Sequence, residues 1–138
     1  MTPVANTILE LLGSEARRNP DALAILAPGR APLTYRALMQ RIDGAIDALA
    51  AAGFGRGRRV ALALPNGPEM AVALLAVMGC AECAPLNPAL DEASYLVALR
   101  TLRVAALIVP EGEDTPVVRA ARALTLPIIR LAFKASDG

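Results

Sequence analysis

Apolar residues recur every three to four positions in two segments near the start of the chain, and this spacing predicts two amphipathic helices. The first covers residues 7–18, and the second begins after Thr34 and continues to Leu49. Gly53 is placed to end the second helix, because glycine readily adopts the left-handed conformation that follows many helix C-termini. Between the helices, residues 23–26 and the residues just before Thr34 predict two short strands joined by a Pro-Gly turn.

From residue 60 onward the pattern becomes regular and predicts a parallel sheet. Four short apolar runs that predict strands begin 22–24 residues apart, near residues 60, 84, 106 and 128. A helix is predicted in each interval, over residues 69–80, 91–102 and 115–124. This spacing suits the crossovers that join parallel strands. We therefore predict an α/β fold with a mostly parallel sheet and helices on both faces.

One predicted helix, with Met70–Met78 at its centre, is apolar on every side. A helix of this kind must be buried on more than one side. The sheet can cover one side, so we expect the other to be covered from outside the chain, by the remainder of a larger domain or by a second copy. The chain also stops soon after its last predicted strand, at Leu131-Ala132-Phe133. Both features favour a piece of a larger fold.

Composition excludes several classes of function. The chain has 138 residues, interpreted as a single α/β segment over 1–138, with 55% apolar residues and a net charge of +1. It has neither a basic field nor aromatic platforms for nucleic acid. Without histidine, every Ser–His–Asp, Cys–His or histidine-ligand mechanism is excluded, and Lys134 is the only lysine.

The same composition bears on location. No charge-free run approaches the roughly 20 residues that span a bilayer, so no membrane span is expected. Residues 1–18 lack the pattern of an export signal, and only two cysteines are present. A cytoplasmic location is therefore expected.

Cys80 and Cys83 match the Cys-x-x-Cys pattern of redox and metal sites. Reactive thiols of that kind lie at a helix N-terminus, where the helix dipole stabilises the thiolate. Here the pair is predicted at a helix C-terminus, and a zinc site would need two further ligands in a chain without histidine. We interpret both cysteines as small apolar residues of the structure.

Three loops deserve comparison with ligand-binding loops. Residues 53–59, Gly-Phe-Gly-Arg-Gly-Arg-Arg, look like a phosphate loop, but they follow a helix and open a strand, the reverse of the required order. Residues 65–69 have the required order, yet two prolines remove N–H donors and Glu69 adds negative charge. Asn87-Pro88 also follows a predicted strand and is interpreted as a turn. The residues alone predict no catalytic, cofactor-binding or metal-binding residue.

Three segments in a fixed order carry a family resemblance. Residues 33–38 read LTYRAL, similar to L-T-Y-x-E-L with Ala37 in place of the acidic residue. Residues 60–69 read VALALPNGPE, similar to V-A-L-x-L-P-N-x-P-E. Residues 74–88 read LLAVMGCAECAPLNP, similar to L-A-x-x-K-A-G-A-x-x-x-P-L-N-P, with Gly79-Cys80 shifting the usual Ala-Gly pair. Together they resemble the adenylate-forming enzymes, the superfamily of acyl-CoA synthetases, peptide-synthetase adenylation domains and luciferases.

The resemblance implies that the chain is the N-terminal portion of an AMP-dependent acyl-CoA synthetase, an incomplete piece of the large N-terminal domain. The Pro-Leu-Asn-Pro ending favours the acyl-CoA branch, and residues 83–90, CAPLNPAL, lean toward the oxalate-CoA ligase-like group. Members of the family activate a carboxylate with ATP and Mg²⁺ to an acyl-adenylate and transfer the acyl group to the thiol of CoA or a carrier. Fatty acid metabolism is the implied context.

The family's phosphate loop, adenine-contacting segment, ribose motif and catalytic lysine all follow the region that matches this chain. The resemblance therefore implies that ATP, Mg²⁺ and CoA bind the full-length parent, that this chain holds none of them, and that it is inactive alone. The alternative is a stand-alone, non-catalytic α/β binding or interaction module built on the same scaffold.

Overall fold

A computed structural model describes residues 7–112 and 114–132 of the chain. The first part contains two helices and a small hairpin: α1 (Ile8–Arg18), β1 (Leu23–Ile25), β2 (Leu33–Thr34) and α2 (Tyr35–Ala51). The second part alternates strand and helix: β3 (Arg59–Leu62), α3 (Pro68–Cys80), β4 (Glu82–Pro85), α4 (Glu92–Leu102), β5 (Ala106–Pro110), α5 (Pro116–Ala123) and β6 (Ile128–Leu131).

Side-chain caps and a glycine set the helix ends. The hydroxyl of Thr34 accepts a hydrogen bond from Ala37 N at 3.2 Å and so caps α2. The carboxylate of Asp91 does the same for α4, accepting from Ser94 N at 2.8 Å. After α2, Gly53 has a left-handed φ of 87°, which confirms its predicted role in ending that helix.

The four later strands form one parallel sheet in the order β4-β3-β5-β6. Ala61 at its centre is in register with Ala84 on one side and Leu107 on the other. This confirms the predicted α/β fold with a mostly parallel sheet. The hairpin β1–β2 forms a separate, antiparallel pair, in register between Leu23 and Thr34.

Helices cover both faces of the sheet, as predicted. On one face, α4 and α5 pack against the sheet, and Tyr95, Leu99 and Val118 are almost fully buried there. On the other face, α3 packs against β3, with Val77 fully buried against the sheet. Successive strand residues point to opposite faces, so Leu107 belongs to the first core and its neighbour to the second.

The cover for the second side of α3 comes from within the chain. Ala76 is 1% exposed and packs among buried residues of α2, including Leu38 and Ile42. A helix lying between the sheet and the α1–α2 layer therefore accounts for much of the all-round apolar pattern at Met70–Met78. Met78 on the same helix is 50% exposed, so part of the helix surface is left open. An outside partner as such stays a prediction.

Two residues that the sequence-based expectations used are not among the residues that the structure describes. Phe133 and Lys134, which entered the arguments from the end of the chain and from its lysine content, lie outside them. Among the residues that are described, no helix is both long and apolar enough to cross a membrane.

Candidate functional site

The carboxyl ends of β3 and β5 define the place where a sheet of this topology forms a crevice. β3 continues into α3 on one face of the sheet, whereas β5 continues into α5 on the other. The two chain segments therefore diverge above neighbouring strands, and open α/β sheets bind ligands at such a point. This crevice is the candidate site that the fold itself indicates.

The crevice is small and its walls carry few polar groups. Its volume is about 190 Å³, below the roughly 300–1,000 Å³ of most ligand pockets. Four of its lining residues are prolines, which have no backbone N–H to offer a ligand. The complete lining is Ala63, Pro65, Pro88, Tyr95, Pro110, Thr115, Pro116 and Val117.

Tyr95 anchors one wall of the crevice. It lies on α4 with 2% exposure, and its hydroxyl donates to Asn87 O at 2.7 Å. The side chain of Asn87 accepts from Ala89 N at 2.9 Å, which closes the turn after β4. The predicted turn at Asn87-Pro88 is thus confirmed, and its polar groups are used within the protein.

The N-terminus of α3 already holds a carboxylate. Glu69 accepts a hydrogen bond from the guanidinium of Arg30, which reaches across from the turn of the β1–β2 hairpin. This hydrogen bond, together with one from the backbone N–H of Glu69, lowers the pKa of the carboxyl despite its partial burial. An anion would have to displace this group, which agrees with the interpretation of residues 65–69 as a turn and helix start.

Charged side chains next to the crevice neutralise one another. Arg119 of α5 donates to Glu92 at the start of α4 at 3.1 Å and to Asp114 O at 2.9 Å. Arg122 donates to the carboxylate of Asp114 at 2.8 Å. This network joins α4, α5 and the loop before α5. It also leaves these arginines engaged with acidic neighbours rather than facing the crevice.

The other candidate loop, residues 53–59, lies at the opposite end of the strands, where β3 begins. Residues 53–59 connect the C-terminal end of α2 to β3, confirming the predicted order of helix and strand. Arg59, the first residue of β3, links this strand to β4 and to α4, because it donates to Glu82 at 3.0 Å and also to Leu102 O at the end of α4. The segment therefore shows the hydrogen bonding of a structural connection.

The two cysteines are placed where burial makes them less reactive. Cys80 is the last residue of α3 and Cys83 lies in β4, and both are free and half-buried. Burial raises the pKa of both thiols. Their environment agrees with the interpretation that they act as small apolar residues.

Within residues 7–112 and 114–132, no group of three or more acidic or cysteine side chains could hold a metal ion. The crevice offers a small apolar surface with the hydroxyl of Thr115 at its edge, and no nucleophile or base activated by a neighbour. Sequence reasoning missed the roles of Tyr95 and Arg30. In the sequence, Tyr95 is recognisable only as one residue of the apolar face of a helix. No local sequence pattern around Arg30 predicts its role.

Comparison with known proteins identifies similar sequences and folds. The model of a family described as AMP-binding enzyme matches residues 12–135. The chain is 34% identical over 133 residues to a probable CoA ligase of Humulus lupulus, covering 96% of this chain and 25% of that protein. It is 35% identical over 113 residues to a 4-chlorobenzoate–CoA ligase of an Arthrobacter species, covering 78% of this chain and 22% of that protein.

A solved structure shows the same fold. The inhibitor-bound N-terminal domain of FACL13 from Mycobacterium tuberculosis superposes with a TM-score of 0.78 at 24% identity. The match covers 90% of this chain and 33% of that domain. The chain thus spans about a quarter of the length of the two curated ligases and a third of the solved domain.

Proposed function

This chain belongs to the AMP-binding enzyme family, and we propose that it is the N-terminal segment of an ATP-dependent acid–thiol ligase. In this proposal the parent enzyme activates a carboxylate as an acyl-adenylate and transfers the acyl group to CoA. The observation that carries it is the family match over residues 12–135, in a chain that spans only about a quarter of its curated relatives.

The described residues of this chain do not form a site that fits the cofactors of that reaction. The crevice of about 190 Å³ is lined by prolines, and the anion position at the start of α3 is taken by Glu69. No metal-binding cluster is present among the residues that the structure covers. In this proposal ATP, Mg²⁺ and CoA bind the parent protein and not this chain.

The contribution of the chain is to build the first layers of the enzyme. The parallel sheet, its two helix layers and the hairpin held by Arg30 and Glu69 form a core from which further strands and helices can continue. Its loops at the carboxyl edge are fixed by their own hydrogen bonds. A rigid scaffold of this kind can position ligand-binding loops contributed by other parts of a protein.

The proposal is tested by comparing this chain with the full-length product of the same gene. We expect no ATP–pyrophosphate exchange by the chain alone with any carboxylic acid, and exchange by the full-length protein under identical conditions. Titration of ATP into the purified chain should give no binding heat. Exchange by the chain alone, or a downstream reading frame without ligase sequence, would overturn the proposal. The second result would favour a stand-alone interaction module.

Three finer parts of the proposal concern the acyl acceptor, the location and the subgroup. CoA, rather than a carrier protein, is proposed as the acyl acceptor, since both curated relatives described above are CoA ligases by name. A cytoplasmic location is proposed with support from the two free cysteines. The oxalate-CoA ligase-like subgroup stays a prediction, and exchange assays with oxalate against longer acids would test it.

A further inference from the structure

The outer face of α4 carries apolar surface that the described part of the chain leaves uncovered. Val97 at the middle of the helix is 65% exposed, and a shallow depression of about 500 Å³ surrounds it. The opposite side of the helix already covers the sheet, where Tyr95 and Leu99 are buried. We call this outer surface the α4 face, and it is lined by Ala93, Ser94, Val97, Ala98, Thr101 and Leu102.

The two ends of the α4 face differ in charge. At the end of the helix, Arg100 and Arg103 are exposed, and neither has an acidic partner within residues 7–112 and 114–132. At the start of the helix, three carboxylates stand against two guanidiniums, which leaves a net charge of −1. The residues at this start are Asp91, Glu92, Asp114, Arg119 and Arg122. The face therefore has an acidic end and a basic end.

We propose that a second copy of this chain docks on the α4 face, with the two α4 helices antiparallel about a two-fold axis at Val97. A two-fold contact brings the same patch of both copies together, so the patch has to be complementary to itself. A helix with an acidic start and a basic end meets this condition when its copy runs in the opposite direction. The two helix dipoles are then also oriented favourably. This inference does not depend on the proposed function.

Helical periodicity gives the residue pairs of this contact. With Val97 on the axis, positions equally far before and after it in the two copies lie at the same level. Arg100 lies on the same side of Val97 as Glu92, so the guanidinium of one copy reaches the acidic helix start of the other. Glu92 is 43% exposed there although it is paired with Arg119. The positions around Val97 carry small side chains, which lets the two helices approach closely.

The size of the contact sets its expected strength. α4 has 11 residues, which at the rise of an α-helix corresponds to a length of about 16 Å. A contact through one such helix from each copy is smaller than the interfaces of stable dimers and is of the size of weak, transient ones. We therefore expect a monomer at about 10 µM and a substantial fraction of dimer at about 500 µM.

Disulfide cross-linking of single introduced cysteines tests the geometry. In Val97→Cys the two thiols lie together on the axis, within the short distance that a disulfide requires. In Thr101→Cys they lie about 12 Å apart along the helices, because each is four residues from the axis. Leu26→Cys is the control, since Leu26 is 70% exposed but lies outside the α4 face. At about 500 µM chain with a mild oxidant, we expect the covalent dimer of Val97→Cys to form at least about tenfold faster than that of either other variant. The unaltered chain gives the background from Cys80 and Cys83.

Sedimentation equilibrium tests the role of the charges. Arg100→Glu places like charges at both ends of the contact and should weaken the dimer by at least about tenfold. Arg17→Glu makes the same change of charge on α1 and should leave the dissociation constant within about twofold. Arg17 and Arg100 both lie in the last turn of a helix, so the two changes cost the folded chain a similar amount.

A chain that is still monomeric at about 500 µM would overturn the proposal. Equal rates of cross-linking at positions 97 and 101 would indicate parallel helices, and equal rates at positions 97 and 26 would indicate random collision. Either result would refute the antiparallel contact. A dimer that does not cross-link at position 97 would place the contact on another surface. A dimer that is as strong with Arg100→Glu as without it would refute the charge complementarity from which the second copy was inferred.

Discussion

Replacing Tyr95 with phenylalanine tests whether the crevice wall is held by a hydrogen bond. The Tyr95 hydroxyl donates to Asn87 O at 2.7 Å, and the side chain is 2% exposed. Phenylalanine keeps the ring and its packing, so the change removes one hydrogen bond and leaves no cavity beyond the hydroxyl. Asn87 is exposed, so water can take over its carbonyl once the hydroxyl is gone.

The expected loss is about 1 kcal/mol of unfolding free energy, the net contribution of one intramolecular hydrogen bond. Removing the whole ring by alanine would cost roughly 3–5 kcal/mol, which would hide the hydrogen bond under a cavity effect. Urea unfolding measures the difference: with a slope near 2 kcal/mol/M, the midpoint should fall by about 0.5 M without a change in slope.

The only other tyrosine provides the control. Tyr35 is half-buried, and among the residues described its hydroxyl has no hydrogen-bond partner. Tyr35→Phe should therefore change the unfolding free energy by less than about 0.5 kcal/mol. Equal effects of the two substitutions would refute the assigned role of the Tyr95 hydroxyl. A loss above about 2 kcal/mol for Tyr95→Phe would show that the ring position depends on more than this bond.

Three further substitutions probe the contacts that hold the layers together. Glu69→Gln should cost about 1 kcal/mol near neutral pH. Since the folded pKa of Glu69 lies below its usual value of 4.5, this contribution is present above that pH and lost below it, so urea midpoints of the two proteins should converge in acid. Gly79→Ala should lower the unfolding free energy by about 1–2 kcal/mol more than Gly44→Ala does. A methyl group at Gly79 would overlap Leu9 of α1, whereas Gly44 has open space around it. Ala76→Leu should cost roughly 1–3 kcal/mol in the same assay, because Ala76 is buried. Ala50→Leu, on the exposed side of α2, should cost almost nothing. Equal values for the two substitutions would contradict the tight α2–α3 contact.

The periodic part of the fold could be predicted from the sequence because each element there follows local rules. The 22–24-residue spacing of apolar runs from residue 60 places the crossovers, and crossovers fix parallel pairing. The packing of α2 and α1 on α3 could not be predicted in the same way. It depends on contacts between residues far apart in sequence, such as Ile42 with Ala76, and periodicity only says that a helix is buried, not by what.

The candidate site shows the same division. Turn chemistry predicted the loops at residues 65–69 and at Asn87-Pro88, because proline and asparagine act locally. The pairing of Arg30 with Glu69 joins residues 39 positions apart and leaves no trace in the local sequence. An apolar groove between α2, α3, β5 and β6 is also a feature of the assembled layers. Its alanines on α2 are ordinary helix residues until β5 and β6 are placed opposite them.

The hydrogen bonding at the carboxyl edge constrains what this part of the protein contributes to a reaction. Loops at such an edge bind ligands when their polar groups are left available. Here Asn87 closes its own turn, Asp114 engages two arginines, and Glu69 fills the helix N-terminus. These groups are committed to holding the loops in place. Substitutions among them should therefore lower the stability of a parent enzyme before they alter its chemical step, the opposite of what residues that contact a substrate would show.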